Sequence, residues 1–150
     1  MELIFKVFVL VLASFYTGIV VFLSTVLRKA FDTLSEKDYL NIYSKIILFG
    51  RSSFFINGLI LIPLAIIVAY VALGFRNSLF IAGETLYITA SFAVSRYMNE
   101  PIYNLLLKTD GDERIAINEI RVSINKANIV RAIISSAGII LLAISFFIEW

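Results

Sequence analysis

The sequence predicts an all-α, polytopic membrane protein: a four-transmembrane-helix bundle with short amphipathic helices in its two long loops. Hydrophobic residues make up 60% of the 150 residues and charged residues only 16%, whereas soluble domains are roughly half apolar and a quarter charged. The mean hydropathy is +0.92. Four apolar runs approach or exceed the ~20 residues that a helix needs to cross a bilayer. We expect one membrane domain over residues 1–150, with spans at about 5–27, 53–75, 78–98 and 129–148.

The first two apolar runs are free of charge. The first occupies residues 7–27 and is followed by the basic pair Arg28 and Lys29. Because it is longer than the roughly 7–15-residue apolar stretch of a signal peptide, we expect a retained helix. The second run occupies residues 52–75 and contains Pro63, which predicts a kink in the middle of the span.

The third run, at residues 77–95, carries one charge, Glu84, and the fourth, at residues 132–148, carries none. Only a few residues around Arg76 separate the second run from the third. This short connection predicts an antiparallel hairpin of neighbouring helices.

The loop at residues 28–51 is predicted to contain an amphipathic helix. Ser35 precedes Asp38 by three residues, which is the spacing of a capping box at a helix N-terminus. Apolar residues then recur at helical spacing: Tyr39, Tyr43, Ile46 and Ile47.

The loop at residues 96–131 is predicted to contain two helical segments. Pro101 suits the first turn of a short helix that continues through Lys108. After the turn TDGD, apolar residues follow one helical face into the fourth span: Ile117, Ile120, Ile124 and Ala127.

Basic residues indicate the orientation. The long loops contain Arg28, Lys29, Lys37, Lys45, Arg51, Arg96, Lys108, Arg114, Arg121, Lys126 and Arg131, whereas the short hairpin contains Arg76. By the positive-inside rule the long loops are expected to be cytoplasmic and both termini outside. The predicted location is a bacterial plasma membrane.

Small residues four positions apart predict close helix contacts. Ser14 and Gly18 have this spacing in the first span, and Ala132 and Ser136 have it in the fourth.

The composition excludes several kinds of chemistry. The chain has no cysteine and no histidine, so thiolate and imidazole ligands, disulfides and a histidine base are excluded. We expect no metal and no cofactor. The net charge of +2 and the lack of a basic run give no indication of nucleic-acid binding.

Glu84 is the most informative charged residue. A charged side chain near the middle of a membrane costs about 2.5–3.5 kcal/mol on insertion scales and needs a partner or a proton. Lys6, near the outer end of the first span, is the cation at similar depth. The alternatives are an intramembrane ion pair between Lys6 and Glu84, a neutral hydrogen-bonded acid, and a functional carboxyl group in which Glu84 is an acid or base.

A second polar cluster is expected where the third span ends and the fourth begins. Its members are Asn99, Glu100, Asn104, Asn128 and Arg131. Asn128 and Arg131 share one helical face because they are three residues apart. Arg131 is expected either to extend its charged end to the membrane surface or to find an acceptor such as Glu100 or an asparagine carbonyl. The cluster is interpreted either as a polar clasp at the membrane interface or as the floor of a ligand pocket.

The same residues carry a family resemblance. The segment NEPIYNLLL resembles the N-x-P-x-N-x-x-L signature after the third span of a family of small four-helix membrane proteins, and NIVRA is similar to the N-x-x-R segment that opens its last helix. That family contains many bacterial proteins of unknown function and the fungal anthrone oxygenases. The resemblance marks Asn99, Pro101, Asn104, Asn128 and Arg131. It also implies cofactor-independent oxygenase chemistry on an apolar aromatic substrate, for which Glu84 would be the base.

Three functions are therefore expected, in this order. The first is binding of a lipid-like ligand or a protein partner by the helical bundle, without catalysis. The second is an oxygenase-like enzyme, and the third is a small transporter or ion-pathway subunit. The expected partners are membrane lipid, a second copy of the chain in a homo-oligomer, or another membrane protein.

Overall fold

The computed structural model describes residues 2–148, and within that range the chain is helical with no strand. The helices are α1 (Glu2–Asp32), α2 (Glu36–Ser52), α3 (Phe54–Ala72), α4 (Ser78–Leu106) and α5 (Arg114–Ile144). All except α2 are long and apolar enough to cross a membrane. The all-α class and the four helices of spanning length are confirmed. Residues 1, 149 and 150 of the predicted domain lie outside the described residues.

The predicted hairpin of the second and third spans is confirmed. Between α3 and α4 the chain turns at Gly74, whose φ of 85° favours a glycine. Asn77 begins α4 by accepting the N–H of Phe80 at 2.9 Å. The Asn77 amide also donates to the carbonyls of Ser145 and Ile148. The hairpin is thereby attached to the end of α5.

Three of the helices are longer than predicted. The predicted short helix that begins at Pro101 is the last part of α4, and the amphipathic segment before the fourth span is the first half of α5. At 1.5 Å per residue the 31 residues of α5 extend for ~46 Å, beyond the ~30 Å thickness of a bilayer core. The reason is that no proline or glycine interrupts the chain between residues 114 and 137.

Helix α4 contains an unusual backbone segment. Residues Thr89–Asn99 form a π-helix, after which an α-helical segment Glu100–Leu106 continues with Pro101 in its first turn. Pro101 has no N–H of its own, but the Glu100 N–H before it still donates to the Ser95 carbonyl, so the helical hydrogen bonds continue up to the proline. Pro101 therefore does not end α4. Pro63 likewise lies inside α3.

The amphipathic helix α2 folds against the extended parts of α4 and α5. Ser35 accepts the N–H of Asp38 at 3.2 Å, which confirms the predicted N-terminus. A cap cluster of buried apolar residues forms between these helices: Tyr39, Tyr43, Ile47, Leu106, Ile117, Ile120 and Ile124. Ile46, expected on the same buried face, is 37% exposed. The cap cluster gives the polar end of the bundle its own core.

Helices α4 and α5 approach each other closely at two glycines, Gly83 and Gly138. A Cβ added at Gly83 would lie 2.8 Å from the Leu142 nitrogen and 2.9 Å from the Gly138 oxygen. Only glycines permit this approach. The predicted small-residue pair of α1 has no such role, because Ser14 is exposed and a Cβ at Gly18 would meet nothing within 4 Å.

Gly83→Ala is expected to destabilise the bundle, because its methyl group would overlap backbone atoms of α5. Overpacking of this kind costs about 1–3 kcal/mol. Gly18→Ala is the matched control, since it adds the same atoms to open space on a spanning helix. The measurement is the midpoint of thermal unfolding in detergent. An unchanged midpoint for Gly83→Ala would contradict the close contact of α4 and α5.

Candidate functional site

Arg131 is the centre of the first polar group. Its Nε donates to the Tyr16 hydroxyl at 2.9 Å, Nη2 donates to the same hydroxyl, and Nη1 donates to Asn128 Oδ1 at 3.2 Å. Asn128 Nδ2 in turn donates to the Tyr43 hydroxyl at 3.4 Å. The predicted shared face of Asn128 and Arg131 is confirmed. Tyr16 and Tyr43 are the partners that sequence reasoning missed.

The Tyr43 hydroxyl remains protonated at physiological pH. Burial raises the pKa of this phenol well above its ordinary value of 10.0, because the phenolate form would lose its hydration. Tyr43 therefore offers a neutral hydroxyl to its neighbours and adds no negative charge beside Arg131.

Glu100 and Asn104 form a second polar group with Arg51. Arg51 donates from Nη2 to Glu100 Oε1 in an ion pair and to Asn104 Oδ1 at 2.8 Å. Of the two acceptors expected for Arg131, the asparagine carbonyl is the one found, and Glu100 pairs with Arg51 instead. Helix α2 folds back so that Arg51, in its last turn, reaches these two α4 residues, while α1 supplies Arg131 with an acceptor. The predicted cluster is divided into two groups.

Asn99 is fully buried at 0% exposure. Neither its Nδ2 nor its Oδ1 has a hydrogen-bond partner among the described residues, and the same is true of the buried hydroxyl of Ser95. Both residues lie in the π-helical part of α4. Buried polar atoms without partners cost free energy, so Asn99 and Ser95 leave hydrogen-bonding groups free for a ligand or water.

An interhelical cavity of about 370 Å³ connects the two polar groups. All five helices contribute to its lining, which includes Asn99, Glu100 and Arg131 from the predicted cluster. Asn128 and Asn104 lie behind that lining as hydrogen-bond partners of Arg131 and Arg51. The cavity is the strongest candidate for a functional site.

Exposure distinguishes the floor of the cavity from its mouth. The lining residues Tyr16, Val20, Tyr43 and Asn99 are buried, whereas Ile46, Arg51 and Asn57 are exposed. The floor is therefore polar and shielded, and the mouth lies between α2 and the start of α3. The remaining wall is mainly aliphatic and includes Ile19, Leu23, Ile56 and Ile60.

Glu84 lies away from this cavity. It is 0% exposed, and neither of its carboxyl oxygens has a hydrogen-bond partner among the described residues. The predicted pair with Lys6 is wrong: Lys6 Nζ lies 3.1 Å from Glu2 Oε1 and 3.2 Å from the Ser145 carbonyl. Glu2 is one turn away on the same helix, so it reaches Lys6 without any contact between helices.

The described part of the chain contains no group of three carboxylate, cysteine or histidine side chains placed to hold a metal ion. The polar groups that line the cavity are guanidinium, amide, carboxylate and hydroxyl groups beside an aliphatic wall.

No family of known proteins, no curated protein and no solved structure matches this chain. The resemblance of NEPIYNLLL and NIVRA to the family of the anthrone oxygenases stays a prediction.

A double-mutant cycle tests the environment of Glu84. Lys6→Met and Glu84→Gln are expected to change the free energy of unfolding additively, to within about 0.5 kcal/mol, because the two side chains share no contact. Lys6→Met and Glu2→Gln are the matched cycle and are expected to be non-additive. Unfolding in detergent provides the measurement. Non-additivity between Lys6 and Glu84 would restore the intramembrane pair.

Proposed function

We propose that this chain is an integral membrane protein that binds a lipid-like ligand in the interhelical cavity. The observation that supports this function is the unsatisfied polar floor: Asn99 and Ser95 have no partners although they are shielded from solvent. A ligand with a polar end would supply those hydrogen bonds, and its apolar part would contact the aliphatic wall.

The dimensions of the cavity support a small ligand. Its volume of about 370 Å³ lies near the lower end of the roughly 300–1,000 Å³ typical of small-molecule sites. The mouth lies at the polar end of the bundle, where α2 and the start of α3 meet. An amphipathic molecule at the membrane surface would reach this opening without crossing the bilayer.

The proposed orientation places the cap cluster in the bacterial cytoplasm and both termini outside. The basic residues at the cap end of the four spanning helices support it, since positively charged loops are retained on the cytoplasmic side.

The other predicted functions receive less support from the geometry. An oxygenase-like reaction would need a base beside the substrate, and Glu84 does not line the interhelical cavity. A transport pathway through the bundle would need polar groups between Glu84 and the membrane surface, and Glu84 instead has only unsatisfied oxygens in a buried setting. Binding of a ligand in the cavity, by contrast, uses the polar side chains and the aliphatic wall that line it.

Ligand retention tests the proposed function. Gly50 lines the cavity, and a Cβ added there would meet nothing within 4 Å, so Gly50→Phe should fill the cavity without backbone strain. Native mass spectrometry of protein purified gently from its own membrane is expected to show a bound small molecule that Gly50→Phe lacks. Gly18→Phe, also in open space but outside the cavity, should retain it. Equal retention in both variants would contradict the proposal.

Single cysteines test the orientation, because the native chain has none. Arg76 and Asp112 are exposed at opposite ends of the bundle. In intact cells a membrane-impermeant maleimide is expected to label Arg76→Cys but not Asp112→Cys, which should react only after permeabilisation. Labelling of both positions from one side would contradict the four-span arrangement.

A further inference from the structure

Arg131 carries a positive charge for which the described residues provide no carboxylate. Its acceptors are a tyrosine hydroxyl and an asparagine carbonyl oxygen, and no ion pair includes it. A guanidinium has five N–H donors, of which the hydrogen bonds to Tyr16 and Asn128 use three. The other two N–H groups of Arg131 have no acceptor among the described residues, and Arg131 lines the cavity wall.

The charges of the side chains that line the cavity do not cancel. Arg51, Glu100 and Arg131 line it, and the ion pair between Arg51 and Glu100 cancels two of these charges. One positive charge is left at Arg131. A charge in a poorly hydrated site attracts an opposite charge more strongly than it would in water, so the site favours an anion.

Two further donors lie in the same cavity. The Asn99 amide and the Ser95 hydroxyl both line it without partners among the described residues. They belong to the π-helical segment of α4, and π-helical insertions frequently occur at functional sites. Arg131, Asn99 and Ser95 together offer donors of the kind that an oxyanion accepts.

We propose that the ligand is a single-chain amphiphile with an oxyanion headgroup, a carboxylate or a phosphate monoester, that binds Arg131 with support from Ser95 and Asn99. This inference rests on the proposed function and adds the chemical class of the ligand. The apolar chain packs against Ile19, Leu23 and Ile60. A single chain suits a cavity near the small end of the range for ligand sites better than the two chains of a phospholipid do.

Three probes with the same alkyl length test the headgroup. Binding of palmitate, hexadecyl phosphate and hexadecanol to the purified full chain in a neutral detergent is measured by isothermal titration calorimetry. Hydrogen bonds to a charged group should favour an anionic probe over hexadecanol by roughly tenfold or more. Whichever anion binds more tightly identifies the source of the headgroup as a free fatty acid or a phosphate ester, and both results support the oxyanion class.

Arg131→Gln is expected to remove the preference for the anionic probes while hexadecanol still binds. Arg96→Gln is the matched control. Arg96 is an exposed arginine of α4, one residue after Ser95, and it does not line the cavity. It should retain the preference. If Arg131→Gln does not fold, Ser95→Ala provides the second variant and is expected to weaken binding of the anions only.

The outcomes separate the two proposals. Equal affinity for hexadecanol and both anions would overturn the oxyanion headgroup while leaving a ligand cavity in place. A preference that survives in Arg131→Gln would also overturn the assignment of the headgroup to Arg131. Absence of binding by all three probes, together with no bound molecule in the native preparation, would overturn the proposed function itself.

Discussion

The contact between α4 and α5 at Gly83 and Gly138 is the constraint on which the polar half of the structure depends. Two helix backbones approach there without any intervening side chain, and the same two helices bear Asn99, Ser95 and Arg131 nearer the cap. Because helices are stiff, the close approach of α4 and α5 at the two glycines limits how far apart they can be one or two turns nearer the cap. The parts of the cavity lining that α4 and α5 supply are therefore positioned by atoms that do not touch the cavity.

Local patterns in the sequence predicted local structure well. The four apolar runs, the N-terminus at Ser35 and the shared face of Asn128 and Arg131 all depend on residues within one or two helical turns, and the structure has each of them. The helix ends were predicted less well for α4 and α5. Hydropathy marks where a chain leaves the apolar part of a bilayer, whereas a helix continues until a turn or a breaker stops it.

The sequence indicated which polar residues lie at the site better than it indicated which residues they contact. Asn99, Glu100 and Arg131 do line one cavity, but Arg51, Tyr16 and Tyr43 come from helices whose positions the sequence does not specify. Glu84 and Lys6 illustrate the same limit, because similar depth along two helices says nothing about which way each side chain faces. The hydroxyl of Tyr16 was a weak signal, because the same span also carries the hydroxyls of Ser14, Thr17, Ser24 and Thr25.

The π-helical segment of α4 is a further reason why the partners of the polar residues could not be predicted from the sequence. A π-helical turn holds more residues than the 3.6 of an α-helix, so the rotational position of residues 95–106 departs from any estimate based on regular α-helical spacing. Glu100 and Asn104 consequently face Arg51 on α2, and the wall that carries Asn99 could not be assigned from periodicity.

The uninterrupted course of α5 has a mechanical consequence. The helix begins in the cap cluster and ends beyond Gly138, so one stiff helix supplies residues both to the cap and to the wall that carries Arg131. Helix α2 is attached differently: it joins α3 through Ser53 alone, whose ψ of 115° is extended. A rotation of α2 about Ser53 that widened the mouth would have to pull the α2 side chains out of the cap cluster and break the ion pair of Arg51 and Glu100.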